Sequence, residues 1–152
     1  MNDAAASTAP RIRRAARILL TDELGRLLLF RFTPRTGRVW WVTPGGECEP
    51  HEDWTECARR ELREETGIVV TDPGPIVFER SEAFIMFTGE PIVSEERYFR
   101  VRVEACVIDT TGHTELEQRA MQEHRWFAPS ELVNWPEAIY PAELAAIFSE
   151  RA

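Results

Sequence analysis

Residues Gly46 to Ile68 read GECEPHEDWTECARRELREETGI, and the middle of this stretch is a helix with its acids on an unusual side. Asp53 is a good N-cap with Glu56 three residues on, and Gly67 can take the left-handed position that ends the helix at Thr66. At 3.6 residues per turn, Trp54, Ala58, Glu61, Leu62 and Glu65 fall on one side, with Cys57 and Glu64 at its margin. Arg59, Arg63 and Glu56 take the opposite side. A surface helix normally turns acids outward and hydrophobes inward, so Glu61 and Glu65 on the apolar side break the pattern. Like charges at that spacing cost roughly 0.2–0.5 kcal/mol even when exposed, and more when buried unless a cation sits among them.

Two readings of this acidic stripe compete. Charge runs usually face solvent, and Arg60 and Arg63 would offset this one. Alternatively, Glu61, Glu64 and Glu65 offer hard oxygens within one turn, a donor set suited to Mg²⁺ or Mn²⁺, whereas zinc would want His or Cys.

The order of the flanking residues decides between them. Gly46, Glu52, Arg60-Glu61-Leu62, Glu64-Glu65 and Gly67-Ile68 resemble the Nudix box, G-x5-E-x7-R-E-U-x-E-E-x-G-U with U aliphatic, at every defined position. Cys48 and His51 depart from the commonest residues of the variable stretch, where no position is fixed. The resemblance implies an α/β fold, the Nudix-type α/β/α sandwich with a central mixed β-sheet. It implies Glu61, Glu64 and Glu65 as metal ligands, the carbonyl of Gly45 as a further one, and Gly46 as a place where backbone approaches phosphate. Glu52 and Arg60 look like the family's internal ion pair, which fixes the loop on the helix. The implied reaction is attack of water on phosphorus in a nucleoside diphosphate linked to some group X, with Mg²⁺ or Mn²⁺ as cofactor. A carboxylate must accept the water's proton: Glu64, Glu65, or a later glutamate, for which Glu117 and Glu123 are candidates and Glu115 a weaker one. The alternative from another class is a non-catalytic Nudix-fold nucleotide-binding or regulatory module. Such modules typically lose box acids, which this chain keeps.

Outward from the box, strand-like segments precede it: Ala15 to Thr21, then Arg26 to Phe32, joined as a hairpin by Asp22-Glu23-Leu24-Gly25. Val39 to Thr43 is a third, stopping at Pro44-Gly45-Gly46, where a tight loop is expected. Ile76 to Phe87 and Arg97 to Ile108 are further strands, the second alternating Phe99, Val101 and Val103 against Arg100, Arg102 and Glu104. A second helix follows Pro141, with Leu144, Ile147 and Phe148 at helical spacing.

Arg31, Arg35 and Arg38 flank the approach to the box and Trp40 and Trp41 precede it, residues that suit phosphate binding and base stacking. Core packing is expected for at least one of the two tryptophans, because adjacent strand residues face opposite ways. Trp54, Trp126 and Trp135 are assigned to packing.

The 152 residues bound the chain to one domain, read as 11–152 after a disordered leader at 1–10. At 43% hydrophobic and 29% charged it matches ordinary globular proteins, and its apolar runs are too short to span a membrane. The first ten residues lack the apolar core of a secretory signal, so a cytoplasmic location is expected. A net charge of −8 argues against nucleic acid as a partner and for a small phosphorylated ligand bridged by a cation. A homodimer stays open. All 18 basic residues are arginine, which excludes mechanisms that need lysine, the P-loop among them. Cys48, Cys57 and Cys106 form no C-x-x-C pair, and reduced, partly buried thiols are expected.

Overall fold

The computed structural model describes residues 9–34, 37–86, 88–104, 107–121 and 123–150. Arg35, Cys106 and most of the expected leader lie outside these residues. In chain order the elements are β1 (Arg11–Thr21), β2 (Leu27–Phe32), β3 (Trp40–Val42), β4 (Gly45–Glu47), α1 (Trp54–Thr66), β5 (Ile76–Ile85), β6 (Pro91–Arg102), α2 (Glu115–Ala120), β7 (Glu123–Phe127), α3 (Pro129–Asn134), β8 (Ala138–Tyr140) and α4 (Leu144–Glu150).

The sheet runs β5-β6-β1-β2-β3-β8, with β4 added to β1 and β7 to β2. It is mixed: β1 pairs parallel with β6 from Arg11↔Ile92 to Thr21↔Arg102, β3 pairs parallel with β8, and the other pairs are antiparallel. Helices cover both faces. On β1 and β2, Leu19, Leu27 and Leu29 pack with Leu144, Ile147 and Phe148 of α4 and Leu132 of α3. The alternate residues Ile18, Leu20, Leu28 and Phe30 pack toward Leu62 of α1 and Met121. Leu27 to Phe30 are all fully buried, which is why this run reads as continuously apolar rather than alternating. Each such side chain stabilises the fold by about 1.5–3 kcal/mol relative to exposure. The expected α/β/α sandwich is therefore the fold observed.

Helix α1 has the expected ends. Asp53 accepts from the Glu56 N–H at 2.7 Å and Glu56 returns the bond to the Asp53 N–H at 2.9 Å, while Gly67, at φ 78°, donates to the Arg63 carbonyl.

Three sequence expectations need correction. Gly45-Gly46 does not simply turn the chain: it is the strand β4, with Arg17↔Gly45 and Ala16↔Gly46 in register, because the backbone fits between β1 and α1 only without a Cβ. The strand expected over Arg97 to Ile108 begins earlier, at Pro91, and ends at Arg102. Its first half looked too polar because Ser94 and Glu96 are buried rather than exposed, Glu96 against Arg17 and Arg80. Nor does it have one polar face at its centre, since Tyr98 and Phe99 are both buried. The short elements α2, β7, α3 and β8 carried no sufficient periodicity and were missed.

Candidate functional site

Pairing of β4 with β1 lays Gly45 and Gly46 alongside α1, and this brings the box acids against backbone. The Gly45 N–H donates to Glu65 Oε1 at 3.1 Å. A Cβ on Gly46 would stand 2.8 Å from Glu61 Oε1. Glu61 is 7% and Glu65 1% exposed, so the acids that broke helical patterning are indeed buried, and the solvated-face reading fails for them.

Burial pushes the Glu61 carboxyl up to about 7, with Arg60 opposing and Glu64 and Glu117 adding to the rise. Glu65 is pushed well above the usual carboxylate range by burial, by Glu61 and Glu117, and by a hydrogen bond with Glu117.

Arg60 is the hub on the other side. Its guanidinium grips Glu52 at 2.6 and 2.9 Å, donates to the Glu47 carbonyl at 3.0 Å, and reaches Glu61 at 3.0 Å and Glu64 at 3.1 Å. Glu52 also accepts from the Glu49 N–H at 2.8 Å, so the ion pair clamps the loop to the helix.

Glu117 arrives from α2. Its loop docks on the C-terminal turn of α1: the Asp109 N–H donates to the Thr66 carbonyl at 2.9 Å, His113 Nε2 meets the Glu65 carbonyl at 2.9 Å, and Gly112 packs on the Glu64 backbone. A capping box with Thr114 then fixes Glu117. Glu61, Glu64, Glu65 and Glu117 line a cavity of about 590 Å³ together with Gly45, Gly46, Trp40, Arg13 and Arg17.

The other sequence candidates are spread differently. Trp40 is half-buried, stacks on Phe32 at 4.8 Å and lines the cavity, whereas Trp41 is buried in the core against Phe127. Arg31 lies outside the cavity lining: it grips Glu137 at 3.0 and 2.6 Å, and Glu137 also accepts from Trp41 at 2.8 Å. Arg38 lines an adjoining groove of about 440 Å³ that shares Trp40 with the cavity. Glu123 sits on β7 opposite Arg31 and Glu115 pairs with Arg119, so neither reaches the box acids.

Two residues were missed. Arg17 donates to the carbonyls of Thr43 and Gly45 at 3.3 Å and is paired with the buried Glu96 at 3.7 Å. Arg80 holds the other side of Glu96 at 2.9 Å. The available signal was an arginine inside the apolar run Ala15 to Leu20.

Among the described residues no three His, Cys, Asp or Glu side chains already form a metal cage. The donor set nonetheless fits a hard divalent cation that keeps part of its water. Desolvated Glu61 and Glu65 lie beside Glu64 and the glycine backbone, and their mutual repulsion is offset in part by Arg60 and Arg17 at Glu61 and by the Gly45 N–H at Glu65.

That repulsion sets a pH dependence. The Glu61 carboxyl rises from 4.5 unfolded to about 7 folded, so the folded state binds more protons between these values. Metal-free protein is therefore expected to lose stability as pH rises through that window. Thermal melts in a chelator should show the fall, and added Mn²⁺ should flatten it. A chelated protein more stable at pH 8 than at pH 5 would contradict the burial of uncompensated acids.

A NUDIX domain model matches residues 11–147, nearly the whole described fold. The chain belongs to the Nudix hydrolase family. It is 34% identical over 123 residues to YvcI of Bacillus subtilis strain 168, an uncharacterized Nudix hydrolase, covering 80% of this chain and 68% of that protein. The MutT protein of Methanosarcina mazei Go1 shares the fold at 22% identity and TM-score 0.70, with 93% of each chain covered. So does the NUDIX domain of Shewanella oneidensis NrtR, solved with ADP ribose, at 17% identity and TM-score 0.67, covering 99% of this chain and 93% of that one. No helix of this Nudix hydrolase, among the described residues, is long and apolar enough to cross a membrane.

Proposed function

We propose that this Nudix hydrolase cleaves the pyrophosphate linkage of a nucleoside diphosphate derivative by attack of water at phosphorus, with Mg²⁺ or Mn²⁺ held by Glu61, Glu64, Glu65 and the Gly45 carbonyl. The observation that carries this reading is the meeting of buried Glu61 and Glu65 with Glu117 in one cavity that also has arginine and aromatic walls. When bound, a divalent cation supplies charge neutralisation for the diphosphate and acidifies water. Glu117 accepts the proton of the attacking water, being the later glutamate that faces the box acids. Arg60 keeps its grip on Glu52 and so holds the loop. Gly46, lacking a Cβ, admits the phosphates, and Arg17 and Arg13 supply positive charge beside them.

Trp40, which lines the cavity, stacks the planar part of the substrate. Trp40→Ala is expected to raise KM roughly 5- to 100-fold with kcat little changed, the range of a lost base–aromatic stack. A fall confined to kcat would exclude that role. The same reading takes residues 11–152 as the catalytic unit and the cytoplasm as its compartment.

The test is a panel of ADP-ribose, nucleoside triphosphates and dinucleoside polyphosphates assayed with Mg²⁺ and with Mn²⁺ for release of phosphate, pyrophosphate or nucleotide. Turnover of at least one, lost in chelator, is the expected result. Binding without turnover across the panel would favour a regulatory module instead.

A further inference from the structure

Cys48, in the loop that follows β4, and Cys57, in α1, come together although no sequence motif pairs them. They are 7% and 0% exposed and pack in one cluster with Ala16, Ala58 and Phe99. The Cys48 N–H is held by the Arg14 carbonyl at 2.8 Å, and Cys57 Sγ reaches the carbonyl of Gly46, two residues before Cys48, at 3.7 Å. We propose that this pair is a reversible oxidation site, at which a peroxide closes a Cys48–Cys57 disulfide between the loop and the helix of the Nudix box.

The surroundings divide the roles of the two sulfurs. Cys57, with Arg14 and Arg60 nearby, holds the Cys48 thiol below its ordinary range despite burial, while Cys48 and burial push Cys57 up. Cys48, 7% exposed against 0% for Cys57, is the sulfur that peroxide reaches and so the attacking one. Its sulfur takes one peroxide oxygen as the O–O bond breaks, and the departing hydroxide picks up a proton to leave as water. Cys57 sulfur then attacks Cys48 sulfur; the S–S bond forms, the S–O bond breaks, and the hydroxide carries off the Cys57 proton as a second water. Two electrons pass from the thiols to the peroxide.

Closing the bridge takes the Cys57 donor from the Gly46 carbonyl and pulls the loop onto α1, where Gly46 stands against the Glu61 carboxylate. Turnover is then expected to fall about tenfold, the lower end of what disturbing the shell around ligand side chains costs. This coupling rests on the proposed hydrolysis, whereas the bridge itself does not.

The full chain is treated with hydrogen peroxide, digested without reductant and mapped by mass spectrometry, with turnover measured before and after dithiothreitol. A Cys48–Cys57 cross-linked peptide, absent in Cys48→Ser and retained in Cys106→Ser, with turnover recovered by dithiothreitol, is the expected result. Cys57→Ala replaces Cys48→Ser if circular dichroism shows the latter misfolded. Separate sulfinic acids at the two positions, unreacted thiols, or a bridge to Cys106 would overturn the site. A closed bridge with undiminished turnover would overturn the coupling. If the bridge forms but neither state turns over any substrate, the proposed function fails and the oxidation site stands.

Discussion

Glu65→Gln is expected to lower turnover by roughly 10²–10⁴-fold, the range for loss of a charged group that acts at the reacting centre. The fold should survive, because a glutamine oxygen can still accept from the Gly45 N–H. Metal-free stability at neutral pH should even rise, since the exchange removes an ionisable group whose charged form is disfavoured in the fold by burial, Glu61 and Glu117. Opposite signs for activity and stability separate a site residue from a structural one. Glu123→Gln is the control: this side chain is 61% exposed beside Arg31, and its loss should leave turnover near wild type. Wild-type turnover in Glu65→Gln, measured with saturating Mn²⁺, would end the assignment.

Gly45→Ala is expected to destabilise the protein by about 4 kcal/mol or more, enough to leave much of it unfolded. Gly45 has φ 140°, a conformation L-residues rarely adopt, and an added Cβ would stand 2.2 Å from the Ala16 carbonyl oxygen. That neighbour is backbone of the central strand and cannot yield. Gly46→Ala differs in kind, because its Cβ meets the end of the Glu61 side chain, which can swing away. It should fold and lose activity, whereas Gly45→Ala should lose its cooperative transition in denaturant. Equal stability of the two variants would show that β4 does not depend on the bare glycine backbone.

The box helix was legible because its determinants are local. Its caps, its apolar stripe and its misplaced acids are each set by residues three or four positions apart, where 3.6-residue geometry leaves little freedom. The long apolar strands were legible for a similar reason, since β-branched and aliphatic runs bounded by turn residues signal themselves. Polar residues misled where burial was hidden. Ser94 and Glu96 look solvent-facing in sequence yet are buried, Glu96 between Arg17 and Arg80. Arg31, equally plausible as a phosphate ligand, is instead committed to Glu137.

By itself, then, the sequence determined the α/β class, the Nudix box and the helix that bears Glu61, Glu64 and Glu65. Only the tertiary structure decided that Glu117 rather than Glu123 faces those acids, that Arg17 stands at the Gly45 carbonyl, and that Cys48 meets Cys57. The physical reason is range. Helix caps and periodicity act over a few residues, whereas these meetings depend on the register of β4 on β1 and on the docking of the 109–114 loop against α1, which no local pattern encodes.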